Sequence, residues 1–130
     1  MTPDQQFDDT LTQATLDTVN RFNQAINQHD LELTMTLMTE NCVFENTEPP
    51  PDGERFTGQA AVGAFWKEFF VTSPRAHFEF EEIFASGERA FVRWLYRWEN
   101  ANGSAGYIRG VDIFKVSSGK VAEKFSYVKG

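Results

Sequence analysis

The chain has 130 residues, which fits one domain that buries roughly two thirds of the surface of its unfolded chain. Its net charge is −7, and its twelve basic residues are scattered without a run, which excludes nucleic acid and anionic membrane surfaces as expected partners. Thirteen Phe and three Trp are many for this length, so we expect an aromatic interior that could line a cavity.

The cysteine content and the N-terminal segment bear on location. Cys42 is the one cysteine and cannot form an internal disulfide, which favours a reducing compartment. Residues 1–9 are acidic and lack the basic and apolar pattern of an export signal, and no apolar run is long enough to cross a membrane. We therefore expect a soluble, cytoplasmic protein that does not contact membrane.

The first seventy residues predict three helices. Apolar residues at three- and four-residue steps predict an amphipathic helix over about 10 to 28, and Asp30 is a candidate N-cap for a second, ending near Met38. A third begins at Thr57 or Gly58 and ends before Pro74. Its wide apolar stripe consists of Val62, Phe65, Trp66, Phe69 and Phe70.

The remaining elements are predicted strands. Residues 41–46 form a short one, followed by a Pro-rich loop over 49–53. From Arg75 onward, alternation with period two predicts strands over 77–84, 89–99, 107–116 and 121–128. Helices followed by an antiparallel meander indicate one α+β domain over residues 1–130, with the helices covering one face of a curved sheet.

Asp112 lies in the most informative stretch, an apolar strand that enters a tight turn. A buried carboxylate is costly unless it is paired or used. A three-residue turn over 117–119 would pair Val116 with Lys120 and place Asp112 opposite Lys124, whereas a four-residue turn would send Lys124 to the other face. Asp112 is then either an ionised acceptor or base, or half of a structural ion pair.

Four motifs in order resemble the nuclear-transport-factor-2-like superfamily, specifically its SnoaL-like branch. They are F-x-x-A-I-N-x-x-D (22–30), V-F-E-N (43–46), G-x-x-A-V-x-x-F-W (58–66) and R-G-V-D-x-F-x-V-x-x-G-K-V-x-E-K-x-S-Y-V-K-G (109–130). The resemblance implies a cone-shaped roll: three N-terminal helices packed in a curved, mainly antiparallel sheet around an apolar pocket. It also implies frequent pairing as homodimers through the outer face of the sheet, here Val111, Ile113, Phe125 and Tyr127.

Comparison with the ketosteroid isomerases of this superfamily suggests site residues. Phe22 stands where the isomerase has a tyrosine donor, Asn46 where it has its general-base aspartate, and Asp112 where it has a second acid. Phe22 cannot donate a hydrogen bond and Asn46 has no basic site, so we do not expect that isomerisation mechanism. Asn46 can still orient a carbonyl or a water, and Asp112 and Asn46 are the catalytic candidates.

The same resemblance supplies ligand-binding candidates. Trp66 replaces a pocket tyrosine of the isomerase, and four residues share the pocket face with Asp112. The candidates are Phe22, Trp66, Lys124, Phe114, Ile108 and Ser126. Limonene-epoxide-hydrolase relatives use a pocket arginine, for which Arg93 or Arg97 would be the match, but the acid expected two positions on is missing. No motif indicates a metal or a cofactor.

Two functions follow. The first is binding of a small apolar molecule in the pocket, with at most weak acid/base chemistry of isomerase, cyclase or hydrolase type; the sequence does not decide whether the protein is an enzyme. The alternative is a non-catalytic dimeric interaction module whose cone is packed solid. A void of some hundreds of Å³ would favour ligand binding.

Overall fold

A computed structural model describes residues 3–130, with side chains described from residue 9 on. The elements in chain order are α1 (Pro3–Asn27), α2 (Leu31–Thr36), β1 (Met38–Glu45), β2 (Arg55–Thr57), α3 (Gln59–Thr72), β3 (His77–Ser86), β4 (Arg89–Glu99), β5 (Ala105–Ser117) and β6 (Lys120–Val128). The predicted α+β class is confirmed. The short strand β2 was not predicted, because three residues carry no readable alternation.

The six strands form one curved, mixed sheet in the order β2-β1-β6-β5-β4-β3. All neighbours are antiparallel except β1 and β6, which run parallel. The prediction that the second helix reaches Met38 was wrong: Met38 already pairs with Val121 of β6, and the N–H of Val121 donates to the carbonyl of Leu37. This long-range pairing ends the helix early.

The helices pack against the concave face as their periodicity predicts. Val19, Phe22 and Ile26 on α1 are buried, although α1 begins earlier than predicted. Asp30 is the N-cap of α2, and its side chain accepts a hydrogen bond from the N–H of Leu33 at 3.0 Å. The predicted cap is therefore confirmed.

Polar side chains fix the helices to the sheet. Asn27 donates to the carbonyl of Phe78 at 2.8 Å and accepts from its N–H at 3.0 Å, which anchors the end of α1 to β3. The amide of Gln59 lies within 3.0–3.1 Å of the carbonyls of Met35, Met38 and Thr39 and so fixes the start of α3 beside β1. These contacts hold α3 over the open end of the cone.

The β5–β6 hairpin differs from the predicted three-residue turn. Ser118 and Gly119 both have positive φ, at 51° and 74°, and make a two-residue turn in which Ser117 pairs with Lys120. Continued regularly, that register would place Lys124 opposite Ile113, on the outer face. A bulge leaves Ala122 without a partner and shifts the register by one, so Lys124 pairs with Phe114 on the inner face.

Candidate ligand cavity

A cavity of about 440 Å³ lies between α3 and the concave face of the sheet. Its wall is mostly aromatic, from α3, β1, β3 and β4, with Ile108 of β5; polar groups come from β6 and from the segment after β1. The aromatic lining is Phe44, Phe65, Trp66, Phe69, Phe78, Trp94, Tyr96 and Trp98, and the polar lining is Asn46, Thr47, Glu48, Lys124 and Ser126. A volume of several hundred Å³ with few polar groups is typical of small-molecule sites.

Burial distinguishes two ends of this cavity. Phe44, Trp66, Trp94 and Lys124 are at most 6% exposed, and we call this group the deep end. Thr47, Trp98 and Ile108 are half-buried and Glu48 is exposed; these four form the mouth. A ligand would therefore meet its most desolvated contacts at Lys124 and the rings around it.

Two glycines of β5 explain how the cone can hold large indoles and remain hollow. Trp94 stands opposite Gly110, and Trp98 stands opposite Gly106. A Cβ at either glycine would collide with the six-membered ring of the facing tryptophan. Because these positions carry no side chain, the indoles lie flat against the backbone of β5 and leave the space above them open.

Lys124, Ser126 and Asp112 form a buried polar cluster at the deep end. Lys124 Nζ lies 3.2 Å from Asp112 Oδ2 and donates to Ser126 Oγ at 2.9 Å, while Ser126 donates to Asp112 Oδ1 at 2.6 Å. Asp112 is 3% exposed and Lys124 6% exposed. Both carboxylate oxygens thus have a donor, and the two charges offset each other in an apolar setting.

The ammonium of Lys124 also lies over aromatic rings. Its Nζ is 4.8 Å from the ring centroid of Phe44 and 5.5 Å from that of Trp66. Both distances are in the range of cation–π attraction. The lysine is therefore held between a carboxylate and two ring faces while it lines the cavity.

The indole N–H groups of Trp66 and Trp94 are unusual. Within the described residues neither nitrogen has a hydrogen-bond partner, although both are buried. Leaving a buried donor unpaired costs about 1–3 kcal/mol. Both side chains line the cavity, but the two nitrogen atoms themselves are buried, so the indoles present ring atoms to the ligand space.

Asn46 reaches the cavity from a closed loop over residues 46–54. Its N–H donates to the carbonyl of Glu54 at 2.9 Å, and the N–H of Gly53 donates to the carbonyl of Pro49 at 2.8 Å. Gly53 has φ +77°, and a Cβ there would overlap the carbonyl oxygen of Asn46. Glycine at position 53 therefore fixes the backbone of Asn46.

Tyr96 is the phenol of the cavity wall. Burial raises its pKa above the ordinary value, and a hydrogen bond with the Ser73 side chain offsets part of that shift. The hydroxyl therefore stays protonated at neutral pH and remains a neutral polar group beside the ligand space.

The structure brings some of the predicted site residues together. Asn46, Trp66, Ile108, Lys124 and Ser126 line the cavity. Asp112 does not: it lies behind Ser126 and Lys124, which occupy its two oxygens.

Phe22 and Phe114 are also absent from the lining. Their rings meet edge to face at 5.9 Å and are fully buried. They belong to the closed core beside the cavity, where α1 packs against β5.

Arg93 and Arg97 do not point into the cone, so the epoxide-hydrolase match was wrong. Alternation along β4 places both on the outer face, where Arg97 Nε pairs with Glu79 at 2.8 Å. The inner positions of this strand carry Val92, Trp94 and Tyr96.

The sequence interpretation missed most of the aromatic wall. Trp94, Tyr96 and Trp98 alternate along β4, and that period-two spacing could have assigned them to the pocket face. Phe65 and Phe69 follow from the α3 stripe that also contains Trp66. Glu48 and Thr47 carry no comparable signal, because the course of a loop is not encoded in a period.

Residues 9–130, whose side chains the structure describes, contain no group of three or more His, Cys, Asp or Glu side chains that could hold a metal ion. Within residues 3–130, none of the helices is long and apolar enough to span a membrane.

Comparison with known proteins identifies the family. An NTF2-like protein of unknown function from Mesorhizobium loti is 38% identical, with 92% of this chain and 93% of that chain covered and a TM-score of 0.77. RV0760c from Mycobacterium tuberculosis, solved in complex with estradiol-17beta-hemisuccinate, is 24% identical (88% and 92% covered, TM-score 0.75). A candidate ketosteroid isomerase from Kribbella flavida is 20% identical (92% and 80% covered, TM-score 0.75).

The last two likenesses, at under 25% identity, show the fold alone. No curated protein matches the chain. The family model for the SnoaL-like domain matches residues 19–124, which include the C-terminal third of α1, the helices α2 and α3, and the strands as far as Lys124 of β6. The chain therefore belongs to the SnoaL-like domain family within the NTF2-like superfamily.

Proposed function

We propose that the protein binds a small apolar molecule in the cavity between α3 and the sheet. The observation that carries this proposal is the cavity itself: about 440 Å³ enclosed by eight aromatic side chains. A cone that served only as core would be filled by those rings, as native interiors are closely packed. The complex of RV0760c with a steroid hemisuccinate supports the same use of the fold in a relative.

We further propose that any chemistry is weak acid/base catalysis centred on Asp112 and assisted by Asn46 and Lys124. Proton transfer would pass through Ser126 Oγ or Lys124 Nζ, because Ser126 and Lys124 line the cavity and Asp112 does not. Within the described residues the Asn46 carboxamide has no hydrogen-bond partner, so it is available to orient a ligand carbonyl or a water.

Oligomeric state and location complete the proposal. Residues 1–130 would act as one domain, in a cytoplasmic homodimer joined through the outer sheet face. Val111, Ile113 and Phe125 are half-buried there and Tyr127 is 52% exposed, which leaves an apolar patch suited to a partner. The buried free thiol of Cys42 fits a reducing compartment. Neither nucleic acid nor membrane is proposed as a partner.

A cavity-filling variant tests ligand binding. Ile108→Trp places an indole in the mouth, whereas Tyr107→Trp adds the same group one residue away, where the side chain is 61% exposed on the outer face. Apolar aromatic probes such as 2-ethylnaphthalene should bind the native protein and the Tyr107→Trp variant and lose at least about tenfold in affinity for the Ile108→Trp variant. Equal affinity for all three proteins would contradict the proposal.

A further inference from the structure

We infer that the deep end of the cavity binds an oxygen of the ligand that accepts hydrogen bonds without donating them, a carbonyl or a carboxylate, and that Lys124 determines this specificity. This goes one step beyond the proposed function and presupposes that the cavity binds a ligand. The ligand class is then a flat apolar molecule with such an oxygen at its buried end.

The hydrogen-bonding capacity of Lys124 is not exhausted. An ammonium group has three N–H donors. Two of these donors have an oxygen partner, Ser126 Oγ at 2.9 Å and Asp112 Oδ2 at 3.2 Å, and the described residues offer no third acceptor. The remaining N–H is left to ring faces or to a ligand. Among the residues whose side chains are described, Lys124 is also the one cation that lines the cavity.

The carboxylate at the deep end, in contrast, is not available to accept a hydrogen bond from the ligand. Asp112 accepts from Ser126 and Lys124 and does not line the cavity. An amine or ammonium on the ligand would therefore find no carboxylate open to it beside Lys124.

The aromatic lining of the cavity favours one kind of ligand skeleton. Phe44, Trp66 and Phe78 present ring faces and edges that favour a flat apolar skeleton. Because Asp112 already offsets the charge of Lys124, a neutral carbonyl adds no charge to the site. A carboxylate would instead share Lys124 with Asp112. The experiment includes both.

Four probes of one size test this inference by isothermal titration calorimetry: 2-acetylnaphthalene, 2-naphthoate, 2-ethylnaphthalene and 2-naphthylmethylamine. The ketone, the carboxylate or both should bind roughly 10- to 100-fold more tightly than the hydrocarbon, as expected for a hydrogen bond to a charged donor. The amine should bind no better than the hydrocarbon.

The double variant Asp112→Asn/Lys124→Met shows whether Lys124 is responsible, since it removes the cation without leaving a lone buried carboxylate. Its Kd ratio between hydrocarbon and carbonyl probe should fall to near one, while Lys120→Met, at the exposed start of β6, should keep the native ratio. Circular dichroism and urea unfolding verify that each variant is folded.

The outcomes separate this inference from the proposed function. If the hydrocarbon binds as tightly as the ketone and the carboxylate, or if the double variant keeps the native ratio, the role of Lys124 is wrong and ligand binding stands. If none of the four probes binds the native protein, both are wrong. A preference for the amine would overturn the inference directly.

Discussion

Lys124 and Asp112 form an ion pair at 3.2 Å although β5 and β6 pair neither residue with the other. Lys124 stands opposite Phe114, and Asp112 stands opposite Ser126, so the two charges meet diagonally. The bulge at Ala122 makes this contact possible because it returns Lys124 to the inner face. One unpaired residue thereby decides whether the cavity contains a cation.

The ion pair should matter more to stability when it is half removed than when it is removed entirely. Lys124→Met leaves the carboxylate of Asp112 buried and unpaired, and should lower the free energy of unfolding by about 3–5 kcal/mol. Asp112→Asn/Lys124→Met should lose clearly less. Arg89→Met, which breaks the exposed pair with Glu123, should cost no more than about 1 kcal/mol. Urea unfolding measures all three, and equal losses in the single and double variants would show that the pair is not coupled.

Gly110→Ala should damage the cavity through Trp94. The new methyl group would collide with the carbonyl oxygen of Tyr127 on β6 and with the indole ring, so the backbone must shift and the indole must move away from β5 into the ligand space. We expect a loss of about 1–3 kcal/mol in unfolding free energy and weaker binding of 2-ethylnaphthalene. Gly63→Ala, within α3, is the control. A Cβ at position 63 would lie 3.7 Å from Met35 Cγ, its nearest neighbour, so this variant should raise the free energy of unfolding by about 0.5–1 kcal/mol. Unchanged probe affinity in Gly110→Ala would argue against the packing of Trp94 over this glycine.

Gly53→Ala should displace Asn46. Residue 53 has positive φ, and a Cβ there would overlap the carbonyl oxygen of Asn46. Gly87→Ala separates the effect of positive φ from that of the steric overlap, since Gly87 also has positive φ but faces open space. This control should lower the free energy of unfolding by only roughly 1–2 kcal/mol. A larger loss in Gly53→Ala, together with shifted amide signals at Asn46 and Thr47 in NMR spectra, is expected. Equal effects of the two substitutions would mean that the loop does not depend on this contact.

Stability should fall in alkaline solution. Burial raises the pKa of the Cys42 thiol above its ordinary 9.0 and that of Tyr96 above 10.0, so the unfolded chain ionises first. Their contribution is complete below about pH 9 and is lost as the pH rises through the folded values. In urea titrations above pH 10, Tyr96→Phe should flatten the decline, and Tyr107→Phe, an exposed position, is the matched control. A decline that Tyr96→Phe leaves unchanged would contradict the burial of this phenol.

The outer sheet face should join two copies of the chain. Light scattering at micromolar concentration should give the mass of a dimer, and Tyr127→Glu should shift it toward monomer by burying a charge in the interface. Val71→Glu, at an apolar α3 position that is 72% exposed, should leave the mass unchanged. A monomeric native protein would rule out this interface.

Periodicity explains why much of the fold could be predicted. The apolar stripes of α1 and α3 and the alternation of β3 to β6 each repeat over enough residues to be recognised, and Asp30 has the chemistry of a cap. The parallel pairing of β1 with β6 could not be predicted, since it joins segments that are far apart in sequence. That pairing determines where α2 ends.

The candidate site was predictable only in part. Asn46, Trp66 and Lys124 were predicted from the sequence and line the cavity. Phe22 was assigned to the cavity by resemblance, but it packs against Phe114 in the closed core. The bulge at Ala122 is not visible in the alternation of the sequence, and the predicted turn was one residue too long. With the two-residue turn alone, Lys124 would lie on the outer face. The bulge returns it to the inner face, where it was predicted. Unpaired indole N–H groups appear only when neighbours are placed in three dimensions.

Isotope-filtered NMR on the labelled protein with bound 2-ethylnaphthalene tests the central claim, that the cavity is the ligand site, most directly. Cross-peaks should connect the probe to Trp66, Trp94 and Ile108, which line the cavity from α3, β4 and β5. Cross-peaks to Phe91 and Tyr127, which are exposed on the outer sheet face, would place the ligand outside the cone and contradict the account.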